Sequence, residues 1–142
     1  MVAASDFFRD ALTVDLAEDE MVTEIHFPKL PPKTGWGFEE VARRAGDFAL
    51  AAVAATVTVS GERITEARIT LTGVDRTPVR AKKAETLLLG EKVEARLIGP
   101  VIEAVRDAIA PETDLHASSG YRRHLAGVLT GRAVNTALKR VA

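Results

Sequence analysis

The chain has 142 residues, a formal net charge of −1, 46% hydrophobic and 27% charged residues, and no cysteine. That length supports one compact domain with its own core plus an extension at most, and the near-neutral charge supplies no field to draw nucleic acid or an anionic membrane, so neither is expected as a partner. Without cysteine there are no disulfides, no thiolate metal site, no iron–sulfur cluster of the usual kind ligated by this chain and no cysteine nucleophile.

The first residues have neither the cationic nor the long apolar region of a secretory signal, and no run approaches the roughly 20 apolar residues of a membrane span, so a cytoplasmic location is expected. Ser5 suits the N-cap of a short helical turn carrying Phe7 and Phe8, and the acidic stretch 15–20 suits a solvated connection. Residues 21–27 alternate loosely, with Val22, Glu24 and His26 opposing Thr23, Ile25 and Phe27, which predicts a strand with one apolar face. Pro28, Pro31 and Pro32 end it, because proline removes ladder donors, and residues 28–34 read as a surface linker and as the best domain boundary.

Beyond Gly35, the residues Trp36, Phe38 and Val41 predict a short strand, residues 48–59 a longer one, and residues 64–71 a third. Ser60-Gly61-Glu62-Arg63 supplies the turn between the last two. The alanines at 49, 51, 52, 54 and 55 favour helix by propensity, but Thr56-Val57-Thr58-Val59 and the hairpin turn decide for strand. From Pro78 the period becomes helical, with Ala81, Ala84, Leu87 and Leu88 on one stripe and a stop at Gly90. A second helix covers 100–110, its start blurred toward Val93 by Gly99-Pro100. The third and longest is capped by Ser118 or Ser119 and buries Leu125, Val128, Leu129, Ala133, Ala137 and Val141. Strands first and helices after give an α+β two-layer sandwich, a three-stranded antiparallel meander followed by three helices packed on one face.

The stretch Val41-Ala42-Arg43-Arg44-Ala45-Gly46-Asp47-Phe48 feeds an unbroken run of small apolar residues, which reads as a charged strand end or turn leading into a strand buried on both faces. The residues alone suit a turn in which Gly46 takes a positive φ and Asp47 bonds nearby backbone or pairs with an arginine. His26, His116 and His124 have no second ligand at metal spacing and read as surface histidines. Tyr121-Arg122-Arg123-His124 reads as snorkelling arginines on an amphipathic helix rather than an anion patch. Asp114 with Ser118 or Ser119 and a histidine lacks a nucleophile elbow, so a hydrolytic triad is rejected.

Three blocks, GFEEVARRAGDFALAAVAA, GVDRTPVRAKKAETLLLG and HASSGYRRHLAGVLTGRA, resemble in order the C-terminal domain of the FAD-binding medium subunit of molybdenum hydroxylases, the carbon monoxide dehydrogenase and xanthine dehydrogenase family. The resemblance implies that residues 1–33 are the tail of a preceding FAD-binding domain and that residues 34–142 are the C-terminal domain. It also implies that the glycine-rich segments holding the FAD pyrophosphate lie upstream, so the chain is either a fragment or a separately encoded piece. In the family the segment containing Arg43, Arg44 and Asp47 faces the flavin, and an aromatic shortly before it approaches the isoalloxazine; Phe38 takes that place here.

The implied partners are the FAD-binding domain of the same subunit and the iron–sulfur and molybdenum subunits. The implied role is electron transfer within an oxidoreductase whose hydroxylation chemistry and substrate choice belong elsewhere. FAD is expected in the full-length subunit and not in this chain alone, which should be inactive and should self-associate through its orphaned apolar segment. The alternative is a structural or interaction module without a cofactor of its own.

Overall fold

The computed structural model describes residues 1–92 and 97–141. At the N-terminus, α1 (Ala4–Phe7) leads into β1 (Phe8–Asp10), which pairs antiparallel with β2 (Thr13–Val14). The helix is flanked by Ala3 at its N-cap, so Ser5 lies inside it rather than capping it. Phe7 and Phe8 meet edge to face with ring centroids 5.3 Å apart.

Residues 21–27 carry no regular secondary structure, which corrects the strand expected there. Their apolar residues stay exposed, Met21 at 78%, Ile25 at 70% and Phe27 at 82%. The physical reason is the want of a partner. The main sheet has the order β3 (Thr34–Ala42), β4 (Ala49–Ser60), β5 (Arg63–Thr72), β6 (Val79–Arg80). At the β3 edge, Arg140 occupies the ground a further strand would need: its Nη1 donates to the Trp36 carbonyl at 3.1 Å and its guanidinium lies 3.9 Å from the centre of the Trp36 ring.

All pairings in this sheet are antiparallel, so the expected meander is present with one short strand added. Alternation explains β4 from its middle onward: Val53, Ala55, Val57 and Val59 face the core while Ala54 is exposed and Thr56 and Thr58 are half-buried. Only Leu50, Ala51, Ala52 and Val53 form a continuous buried run, so the strand is not buried on both faces throughout. The break in alternation coincides with a bulge, because Val41 faces Ala51 while Ala42 faces Ala49.

Val79 and Arg80 pair with Leu71 and Thr70, which displaces the start of the following helix: α2 covers Lys82–Thr86 rather than beginning at Pro78. Its buried members are Ala84 and Glu85, and Leu87 turns out to be exposed. The Glu85 carboxylate accepts from the Ile69 backbone N–H at 2.9 Å and from Arg80 Nε at 2.8 Å, completing the edge of β5 where β6 is too short to do so. The second long-range helix, α3 (Ile98–Asp107), has Pro100 in its first turn, where a missing N–H costs nothing; the alternative start near Val93 lies outside the described residues.

The last helix, α4 (Ser119–Lys139), is capped by Ser118, whose hydroxyl accepts from the Tyr121 N–H at 3.2 Å. Leu125, Leu129, Ala133 and Ala137 are buried as expected, joined by Ala126, Thr130 and Val134, while Val128 is only half-buried. The helix packs directly on the β3 backbone. A Cβ on Gly35 would stand 1.9 Å from the Ala137 carbonyl oxygen, and one on Gly37 2.1 Å from that of Ala133. The helices thus cover one face of the sheet, as an α+β two-layer sandwich requires.

Candidate functional site

The other face of the sheet is open. Direct cross-strand partners share a face, so the register lays out rows across it: Thr34, Thr58 and Glu66; Trp36, Thr56 and Arg68; Phe38, Ala54 and Thr70; Glu40, Ala52 and Thr72. Because Gly35 and Gly37 face α4, Trp36 and Phe38 must face outward, where they are 52% and 55% exposed. Phe38 is followed in its row by Ala54 and Thr70, with Arg80 beyond them, so its nearest neighbours are small and leave the ring uncovered.

Residues 28–31 cross one end of this face. Between them and the sheet lies a cleft of about 100 Å³ lined by Lys29, Thr58, Glu66 and Arg68 among others. The segment leading into β3 therefore runs on the side where the aromatics are exposed.

The turn joining β3 to β4 contains Arg43, Arg44 and Asp47. Arg43 Nη2 lies 3.4 Å from Asp47 Oδ2, the Asp47 N–H donates to the Arg44 carbonyl at 3.1 Å, and the Phe48 N–H donates to Asp47 Oδ1 at 3.0 Å. Gly46 has φ +81°, the left-handed conformation that glycine adopts without penalty. Arg44 is exposed, and Phe48 stands out from the turn at 95% exposure. The structure thus brings Arg43 and Asp47 together and leaves Phe38 apart from them: it stands four residues before Ala42, roughly 13 Å along β3.

Arg122 is the residue that sequence reasoning placed wrongly. It is 8% exposed rather than snorkelling, and its guanidinium donates to the carbonyls of Leu50 at 2.7 Å and Gly73 at 2.8 Å and to Asp114 Oδ2 at 2.7 Å. Its spacing of three from Leu125 and seven from Leu129 places it on the buried stripe, a signal that residue type obscured. Asp114 also accepts from the N–H groups of His116 and Ala117, both at 2.9 Å. The N–H of Ala117, then that of His116, then Arg122 hold its carboxyl well below the usual range. Among the described residues its oxygens are taken by two backbone amides and Arg122 and by no histidine ring nitrogen, so it does not orient an imidazole as a triad aspartate would. His26, His116 and His124 are exposed, and no group of three or more metal-ligating side chains occurs among the described residues.

Comparison with known proteins gives this arrangement its context. Residues 36–137 match the family model described as CO dehydrogenase flavoprotein C-terminal domain. The chain is 38% identical over 133 residues to the glyceraldehyde dehydrogenase medium chain of Sulfolobus acidocaldarius, covering 93% of this chain and 47% of that one. It is 33% identical over 140 residues to the carbon monoxide dehydrogenase medium chain of Afipia carboxidovorans, covering 99% and 49%. It therefore spans about half the length of these curated relatives. Among solved structures, carbon monoxide dehydrogenase from Hydrogenophaga pseudoflava superposes with a TM-score of 0.92 at 33% identity, over 97% of this chain and 48% of that one. A match over most of the chain, in both sequence and fold, places this protein in the CO dehydrogenase flavoprotein C-terminal domain family.

Proposed function

We propose that this chain closes one side of the FAD site in the medium subunit of a molybdenum hydroxylase, with its open sheet face and its β3–β4 turn directed at the FAD-binding half. The observation that carries this reading is the placement of residues 28–31 across the same face that exposes Trp36 and Phe38. On this reading the boundary falls near residue 33, and residues 21–27 find in the FAD-binding half the partner they lack here. In its absence their exposed apolar residues favour self-association.

The residues present fit part of a flavin and not all of it. Phe38 offers a flat apolar surface, and Arg43 and Asp47 offer polar groups at a turn. The positive-φ glycines, Gly46, Gly61, Gly73 and Gly90, are isolated from one another and form no phosphate cradle. FAD, when bound, would supply the redox chemistry. Phe38 would exclude water from one side of the ring system, and the turn would hold the domain against the cofactor. Glyceraldehyde and carbon monoxide are unlike substrates, yet both named relatives carry this domain, which supports placing substrate choice outside it.

A bracing module without cofactor contacts is the second reading. It is favoured by the self-sufficiency of the turn, since every bond made by Asp47 ends within residues 43–48. Asp47→Ala separates the two. The 142-residue chain alone should purify without a flavin band, since lateral contacts rarely overcome the entropy of association. After reassembly with the FAD-binding half, Asp47→Ala should lower flavin content or slow anaerobic flavin reduction while the melt of the isolated chain moves little. Loss of stability by about 0.5–2 kcal/mol with normal flavin content and reduction would instead establish the bracing role.

A further inference from the structure

The bulge at the head of β4 is held by a side chain from the far helix. Leu50 is the extra residue in the β3–β4 ladder, and it also precedes the β4–β5 ladder, whose register begins at Ala52. Its carbonyl accepts from Arg122 Nη1 at 2.7 Å, and the same nitrogen donates to Gly73 at 2.8 Å. Gly73 has φ +76°, and a Cβ there would come within 2.8 Å of the Ala49 carbonyl oxygen and 2.9 Å of that of Leu50. The backbone following β5 is thus pressed against the bulge with no room for a side chain, and the guanidinium joins the two. Asp114 fixes the other end of the fork through Nη2.

We infer that Arg122, oriented by Asp114, is a positioning residue for the β3–β4 turn, setting the direction in which residues 43–48 leave the sheet; its relevance to the cofactor rests on the function proposed above. On the β3 side the ladder runs without a shift from Thr34 to Val41 and is interrupted only at its last step, Ala42. The β4 end is bulged, and a bulge redirects the strand that contains it, so its direction is set by what holds the extra residue. Within the turn the Arg43–Asp47 pair is largely solvated at 3.4 Å and holds little by itself. A buried planar guanidinium bonded to two carbonyls and a carboxylate fixes relative angles as well as distances, which a lysine ammonium cannot do.

The test compares Arg122→Lys and Asp114→Asn with the parent chain by amide hydrogen exchange. The amides of Asp47 and Phe48 report the turn, and those of Ala55 and Val57, in the interior strand β4, report the sheet centre. Both variants should accelerate exchange at the turn by roughly tenfold or more relative to the sheet centre. Equal acceleration at both sets would overturn the inference, because it would make Arg122 a contributor to global stability only. Unchanged exchange at the turn in a folded variant would overturn it as well.

Should Arg122→Lys fail to fold by circular dichroism, Asp114→Asn carries the same comparison, since it retains one oxygen for the His116 and Ala117 amides and loses the charge facing Arg122. Flavin retention is read separately after reassembly with the FAD-binding half. A loosened turn with undiminished flavin retention would leave the clamp standing and remove the flavin-facing role of the turn.

Discussion

Gly35 and Gly37 point one way from β3 and Trp36 and Phe38 the other, and the two faces they define relate to the chain in opposite ways. Toward α4 the contact is backbone on backbone, and the core behind it is filled by Val53, Val57, Ile69, Leu71 and Leu129, all almost fully buried. On the outer face, two large aromatics stand beside alanine and threonine neighbours, with residues 28–31 crossing one end. A sheet finished on one side and bare on the other is half of a larger packing problem. The glycine-aromatic alternation in a single strand encodes both sides of it.

The largest expected effect comes from breaking the finished face. Gly37→Ala puts a Cβ 2.1 Å from the Ala133 carbonyl oxygen, and the obstructing atom is helix backbone, which cannot swing aside as a side chain can. Either α4 lifts or β3 moves, and both disturb the core. A loss of about 3 kcal/mol or more is expected, at the upper end of overpacking effects, measured by urea denaturation. A cost below about 1 kcal/mol would mean that the close approach of α4 is not what seals this face.

A smaller effect, confined to acid, tests the end of the helical layer where Arg122 meets β4. Folding lowers the Asp114 pKa, chiefly through the Ala117 and His116 amides and then through Arg122. Its contribution is therefore complete above the ordinary carboxylate value of about 4 and is lost as pH falls through the lower folded value. Asp114→Asn has no such carboxylate to protonate. Between pH of about 5 and about 3, its melting temperature should fall less than that of the parent chain. Parallel curves would show that other carboxylates govern the acid transition and that the Asp114 contacts contribute little.

How far sequence foretold this arrangement depends on what kind of signal each part emits. The alternation of Thr56-Val57-Thr58-Val59 marks β4 despite its alanines, and the apolar spacing from Leu125 to Ala137 marks α4, because each is long enough to show a period. Val79 and Arg80 are too few to show one, so α2 was expected several residues early. Residues 21–27 have a strand pattern that pairs with no strand among the described residues. In the site, Gly46 and the Arg43–Asp47 pair are local and were legible. Arg122 and Glu85 were not, since charged residues are presumed solvated until a structure supplies the Leu50, Gly73 and Ile69 backbone groups they serve.

The smallest effect on stability and the sharpest on function are expected from the bare face. Phe38 is 55% exposed and its row neighbours are Ala54 and Thr70, so truncation to alanine removes little packing. Surface substitutions of this kind usually fall within about 0.5 kcal/mol, and strand propensity costs a comparable amount. Phe38→Ala should therefore leave the melt of the isolated chain nearly unchanged while Gly37→Ala, one residue away, does not. In the reassembled subunit the order reverses. If Phe38 shields the flavin as proposed, Phe38→Ala should there lower flavin retention or make the bound flavin more accessible to solvent quenchers. A conservative Phe38→Tyr variant should restore both readouts, since a ring of the same shape is returned. If Phe38→Ala reassembles with normal flavin content and unaltered quenching, the open face serves subunit packing alone, and the exposed aromatics belong to the bracing reading.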